Sequence, residues 1–217
     1  MTADTASRNP AMCRLQPIDL NDKEQYQRLQ SQRRECGWYY EDEYLNRWQK
    51  AAVTGAKCLF WITTPSFDAG QSIIFAGHIS LDSFAESEKY QHELARPDKS
   101  LLTISTFFVL PEYRGAGIGG QAMAQVEQLA GSEPYGHPRC SAVTIMSLSC
   151  QYTEDPMWRA RYIEWTGETP SSYERWYSRI GCVKWKEEAC TEIIGPDNRV
   201  ILLIEVFLKK TFSTSTK

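Results

Sequence analysis

The chain has little with which to hold a metal ion. Its 217 residues include three histidines and seven cysteines, and no two cysteines form a Cys-x-x-Cys pair. Cysteines odd in number and widely spaced do not make a zinc site, so no metal is expected. Several lie in apolar runs, such as Cys58 before Leu59-Phe60-Trp61, and read as core thiols in a reducing compartment. A catalytic thiol at Cys150 is the lesser alternative. A basic excess is also missing. Lys and Arg number 24 against 27 Asp and Glu, a net charge of -3, whereas non-specific nucleic-acid binding needs a basic face. No nucleic-acid partner is expected. No apolar run approaches the roughly 20 residues that span a bilayer. The first ten residues offer no apolar core for a signal peptide. No membrane partner is expected either, and a cytoplasmic location is.

What is present is an ordinary globular balance, 42% hydrophobic and 24% charged. One domain over residues 1–217 is the simplest organisation, with a core at about 12–208 and frayed ends at 1–10 and 212–217. Strand patterns fall at residues 12–18, 58–63, 73–82, 101–110, 140–148, 182–190 and 199–208. Helices are expected from a cap at Asn21 or Asp22 to about Cys36, over 43–53, from Gln121 after the glycine-rich turn to Ala130, and from a cap at Ser171 or Ser172 to Gly181. A turn holding Pro65 and Gly70 and another at Gly195-Pro196-Asp197-Asn198 join neighbouring strands. Residues 84–99 read as a surface connection with some helical turn, and 149–170 as irregular. The order is mixed α/β.

The densest signal follows the strand at 101–110. Pro111-Glu112-Tyr113-Arg114-Gly115-Ala116-Gly117-Ile118-Gly119-Gly120 carries one arginine and four glycines, then enters a helical pattern. Glycines let the backbone close around an anion and aim several N–H groups at it. A helix starting there adds about half a positive charge. The turn is therefore a phosphate cradle. Gly115-x-Gly117-x-x-Gly120 satisfies the letters of the dinucleotide fingerprint. Its context does not, because residues 111–114 separate strand from glycine and no well-placed acid ends the next strand. A P-loop also fails, since no Gly-Lys-Ser/Thr follows.

Taken as Arg114-x-x-Gly117-x-Gly119, the segment resembles the acetyl-CoA pyrophosphate loop of the GNAT superfamily of N-acetyltransferases. The run from Pro111 to Gly119 looks like that superfamily's signature. The resemblance implies an α/β (α+β) fold. A central mixed, mostly antiparallel sheet of about seven strands would be flanked by helices, with splayed strands forming the acyl-CoA cleft. It implies acetyl-CoA as acyl-donor cosubstrate. Phe107, Phe108 and Val109 would bind the pantetheine arm through their backbone, and Arg114, Gly115, Ala116, Gly117, Ile118 and Gly119 would take the pyrophosphate. A second stretch, Tyr173 to Cys182, resembles the superfamily's helix ending in Tyr-x-x-x-Gly-Phe. Tyr177 would then be the catalytic acid for the departing thiolate, since a phenol of pKa about 10 stays protonated at neutral pH. Two departures stand out. Pro170, Ser171 and Ser172 occupy the region of the usual asparagine, and Cys182 replaces the aromatic.

The general base is open. Many members place a glutamate on the central strand, where this chain has Thr103, Ser105 and Thr106. His78, Glu41, Asp42 and Glu43 are the alternatives, beside relay through water. Trp38, Tyr39 and Tyr40 with the acids after them, and the 149–170 segment, would shape the acceptor end. Aromatics with carboxylates suit an organic cation. The implied activity is acetyl transfer to a small primary amine by direct attack in a ternary complex. The alternatives are a protein lysine or N-terminal acetyltransferase and a non-catalytic acyl-CoA sensor. A monomer or homodimer is expected.

Overall fold

The described chain, residues 13–65, 73–195 and 198–212 of a computed structural model, forms two compact units, Met1–Cys140 and Ser141–Lys217. The expected frayed ends (residue 212 apart), the start of the first strand at Met12, the turn at Gly70 and the Pro196-Asp197 turn lie outside the described residues.

The first unit runs β1 (Arg14–Pro17), α1 (Lys23–Cys36), α2 (Asp42–Val53), β2 (Lys57–Pro65), β3 (Ile73–Asp82), α3 (Gln91–Leu94), β4 (Leu102–Thr103), β5 (Phe107–Val109) and α4 (Ile118–Ala130). Asp22 starts α1 as expected: its carboxylate accepts the N–H groups of Glu24 at 2.8 Å and Gln25 at 3.1 Å, donors that have no helical acceptor. Gly37, at φ +85°, ends it. β1, β2 and β3 are antiparallel neighbours, and β3 pairs in turn with β4 and β5. Leu59 and Trp61 of β2 pack with Leu29 of α1 and with Leu45 and Trp48 of α2. The alternate residues Phe60 and Ile62 are buried too, so this strand is covered on both faces. The ring of Phe60 meets that of Tyr135, just beyond α4, edge-on at 4.9 Å. Gln121 and Gln125 tie α4 to β1 through the backbone of Cys13 and Leu15.

One expectation is corrected here. Residues 101–110 are not a continuous strand. β4 and β5 are separated by residues 104–106, where the pairing to β3 slips. Eight strands therefore appear among the described residues where about seven were expected.

The second unit runs β6 (Ala142–Leu148), α5 (Gln151–Glu154), α6 (Pro156–Thr166), α7 (Glu174–Arg179), β7 (Val183–Ile194) and β8 (Val200–Thr211). β8 lies between β6 and β7 and is antiparallel to both. The segment expected to be irregular, 149–170, is largely helical. Asp155 caps α6 by accepting from Met157 and Trp158, Pro156 opens its first turn, and Gly167 at φ +74° closes it. Its aromatics break the simple apolar stripe. Trp158, Trp165 and buried Tyr162 gather around Tyr152 and Leu203. The Tyr152 hydroxyl accepts the N–H of Ile204 at 3.0 Å, fastening α5 to β8.

Candidate active site

The turn between β5 and α4 is built from backbone. A short 3-10 turn, Pro111–Tyr113, leads to Arg114 in extended conformation. Gly115 and Gly117 follow at φ +79° and +80°, where a side chain is strained. Residues 114–117 are exposed, whereas the Ile118 side chain is buried and anchors the helix start. The first helical bond is from the Gln121 N–H to the Gly117 carbonyl at 3.1 Å. The N–H groups of Ile118, Gly119 and Gly120 thus have no helical acceptor, and Gly117 brings no side chain to cap them. Donors in this state at a helix N-terminus fit a phosphate oxygen. Arg114 turns back instead of extending into solvent: its Nε donates to the Val109 carbonyl at 2.8 Å and its guanidinium lies 5.4 Å from the Phe108 ring centre. The arginine thereby fixes the turn and leaves its outer nitrogens for an anion.

The edge of β5 is set by its pairing. The Leu110 N–H donates to the Ala76 carbonyl at 2.9 Å, and the Ser80 N–H donates to the Thr106 carbonyl at 2.8 Å. Residues 106, 108 and 110 therefore bond to β3. The alternation of an antiparallel ladder then points the Val109 N–H and C=O away from β3. β3 can approach this closely because residue 77 is glycine. A Cβ there would collide with the Phe108 carbonyl oxygen.

An acetyltransferase (GNAT) family model matches residues 23–149, more than half of the chain. The chain belongs to the GNAT family. Its acyl donor is acetyl-CoA, and the cradle and strand edge fit that donor's pyrophosphate and pantetheine. Solved GNAT structures share the fold at low identity. Arabidopsis thaliana NAA60 in complex with acetyl-CoA is 18% identical over 93% of this chain and 99% of that one, with a TM-score of 0.58. The loading GNATL domain of CurA from Lyngbya majuscula is 14% identical over 92% and 98%, at 0.58. The spermidine/spermine N-acetyltransferase SpeG from Vibrio cholerae is 11% identical over 92% and 95%, at 0.52. No curated protein matches in sequence.

In the second unit of this GNAT chain, Tyr177 sits on α7 and is 7% exposed. Burial, helped by Cys182 and Tyr173, pushes its phenol well above the ordinary tyrosine value. Such a phenol stays protonated at neutral pH. Ser172 supports the start of α7, accepting the Glu174 N–H at 3.3 Å and donating to the Leu148 carbonyl at 2.6 Å. Glu174 itself does not complete a capping box. Buried at the start of α7, it accepts the Cys150 N–H at 2.8 Å and pairs with Lys184 at 3.1 Å. Burial and then the Glu174 carboxylate push the Cys150 thiol up to about 11, which leaves little thiolate at neutral pH.

Beside these groups opens a depression of about 480 Å³, lined by Ser149, Cys150, Glu154 and Asp155 of the 149–170 segment and by Lys184 and Glu187 among others. Lys184 and Glu187 come from β7 and join it only through the fold, so the sequence carries no local signal for them here.

The candidate bases fare unequally. Gln32 Nε2 donates to the Phe75 carbonyl at 3.0 Å, so its Oε1 faces His78 Nδ1 at 2.8 Å and must accept. His78 then carries its proton on Nδ1 and offers Nε2 to the buried Arg33 guanidinium at 3.3 Å. Burial first, then Arg33 and Lys57, holds its pKa well below the usual histidine value. His78 is a neutral structural link between α1 and β3, with no lone pair left for an amine. Asp42 is occupied by Tyr26 at 3.1 Å and Gln30 at 2.8 Å, whereas Glu41 and Glu43 stay exposed at the start of α2. Trp38 and Tyr40 are exposed beside them, and Tyr39 turns inward against Tyr44 and Trp48.

Two outcomes follow. Gly117→Ala forces a side chain into a left-handed conformation costing about 1–2 kcal/mol. Calorimetry should show acetyl-CoA binding weakened by about tenfold with the fold retained, and unchanged affinity would contradict the cradle. Acidification should destabilise the fold through His78. Below about pH 6.5 the unfolded chain protonates this histidine and the folded one does not, a loss of about 1.4 kcal/mol per pH unit. Melting between about pH 7.5 and 5.5 should therefore fall more steeply in the unaltered chain than in His78→Gln, and equal slopes would contradict the assignment.

Proposed function

We propose that the enzyme acetylates a small primary amine, by direct attack of the amine on acetyl-CoA in a ternary complex. In this reading the N–H groups at the start of α4 and the outer nitrogens of Arg114 hold the pyrophosphate. The backbone edge of β5 orients the pantetheine arm, and the Val109 N–H polarises the thioester carbonyl. Holding amine and thioester together supplies several kcal/mol without a covalent acyl-enzyme. Tyr177, kept protonated by burial, donates to the thiolate as it departs.

The observation that carries the acceptor class is the depression in the second unit. Its volume suits a small molecule. Three carboxylates, Glu154, Asp155 and Glu187, line it; Glu154 pairs with Arg175 at 2.7 Å and Glu187 with Lys184 at 2.8 Å, and the carboxylate of Asp155 is the acidic excess that favours a cationic acceptor. Glu174 joins its floor to the helix that carries Tyr177. Exposed Trp38 and Tyr40 beside Glu41 and Glu43 offer a further cation-friendly surface. The spermidine/spermine acetyltransferase SpeG is a structural neighbour whose named acceptors are small cationic amines.

Thiol release from acetyl-CoA across polyamines, arylalkylamines, amino sugars, amino acids and peptides tests this. Small cationic amines should be preferred over peptides by at least about tenfold in kcat/KM. In Tyr177→Phe, turnover should fall about tenfold or more with acetyl-CoA affinity unchanged. Preference for a peptide would place the enzyme among protein acetyltransferases, and full turnover in the phenylalanine variant would remove Tyr177 from the mechanism.

A further inference from the structure

The central strand gains one residue between β4 and β5. Asp82 pairs with Thr103 and Ile79 with Phe107, so Ser80 and Leu81 stand opposite Ile104, Ser105 and Thr106. Two residues against three make a β-bulge. Strand geometry repeats every two residues, so a shift of one reverses which residues of β5 bond to β3. Continued in the β4 register, the strand would place Phe107 and Val109 opposite His78 and Ala76. Their backbone groups would then be consumed in the ladder. With the extra residue, Phe108 and Leu110 take those positions and the Val109 N–H faces the other edge.

A buried cluster holds that extra residue. Ser105 Oγ accepts from Lys57 Nζ at 2.8 Å and donates to Asp82 Oδ2. Lys57 and Asp82 are themselves paired at 2.8 Å, with both side chains fully buried. Ser80 Oγ donates to the same Asp82 oxygen at 2.8 Å and accepts the Thr106 N–H at 3.1 Å, in place of the carbonyl a regular ladder would supply. Buried ion pairs contribute little net stability compared with apolar packing, so this one calls for another role. Apart from the bond from Lys57 to Glu86 at 3.3 Å, its hydrogen bonds converge on the bulge.

We propose that Lys57, Asp82 and Ser105 are positioning residues for acetyl transfer, holding the bulge that aims the Val109 N–H at the thioester carbonyl. The inference rests on the role given to Val109 above. Loss of one such donor lowers turnover by about 10²–10³, so loosening its support should cost about tenfold or more.

Ser105→Ala tests this, because it removes the hydroxyl and leaves the Lys57–Asp82 pair in place. The expected result is a fall in kcat of about tenfold or more, with the acceptor KM and the unfolding midpoint near those of the unaltered chain. Ser105→Thr, which keeps the hydroxyl, should restore most of the turnover. Ser80→Ala, which removes the other support of Thr106, should act like Ser105→Ala. In parallel, the Val109 amide resonance should shift when acetyl-CoA is added to the unaltered chain and shift less in Ser105→Ala. Turnover within twofold in Ser105→Ala, or an equal Val109 shift in both chains, would overturn the inference while leaving the Val109 role standing. No shift in the unaltered chain would overturn that role, and the inference with it.

Discussion

Backbone donors that must find partners govern this molecule. A helix always begins with N–H groups that its own carbonyls cannot reach. α1 and α6 answer with aspartates, Asp22 and Asp155. α4 answers with glycine, which satisfies nothing. The two left-handed glycines before α4, the absence of a capping side chain and the anchoring of Ile118 in the core together keep those donors exposed and fixed. A glycine at the cap in place of Ser, Asp or Asn costs only about a few tenths of a kcal/mol, and an anion can return it. The same logic extends to β5, whose outer edge carries the Val109 N–H because the bulge turns it away from β3.

Burial shapes the second unit's chemistry in the opposite way. Tyr177 is largely withdrawn from water, which disfavours its phenolate. Burial and Glu174 raise the Cys150 thiol and leave little thiolate at neutral pH. Glu174 keeps its charge because the Cys150 N–H and Lys184 surround it, and those bonds, with Ser172, tie down the start of α7.

Much of this was legible in the sequence, for identifiable reasons. The helix starts at Asp22 and the glycine-rich turn at 114–120 are local signals, carried by residues whose conformational needs are narrow. The strand at 73–82 was found at its observed ends because its apolar run is bounded on both sides. The bulge at 104–106 was not visible, since Ile104, Ser105 and Thr106 differ in no local way from strand residues. Their departure depends on Lys57, about 48 positions away, which reads alone as an unremarkable charge. α6 was missed although Asp155-Pro156 and Gly167 bracket it, because Trp158, Tyr162 and Trp165 obscure its periodicity. His78 stood as a candidate base, and only the orientation of Gln32, itself dictated by the Phe75 carbonyl, shows that both ring nitrogens are taken.

The central claim is that uncapped backbone donors at the start of α4 hold the pyrophosphate of acetyl-CoA. Calorimetric titration of the full chain with acetyl-CoA and with S-acetylpantetheine, which lacks the pyrophosphate, tests it most directly. The account predicts one acetyl-CoA bound per chain and affinity for the truncated donor lower by at least about tenfold, or roughly 1.4 kcal/mol. Equal affinity for the two donors, or no binding of acetyl-CoA, would contradict it.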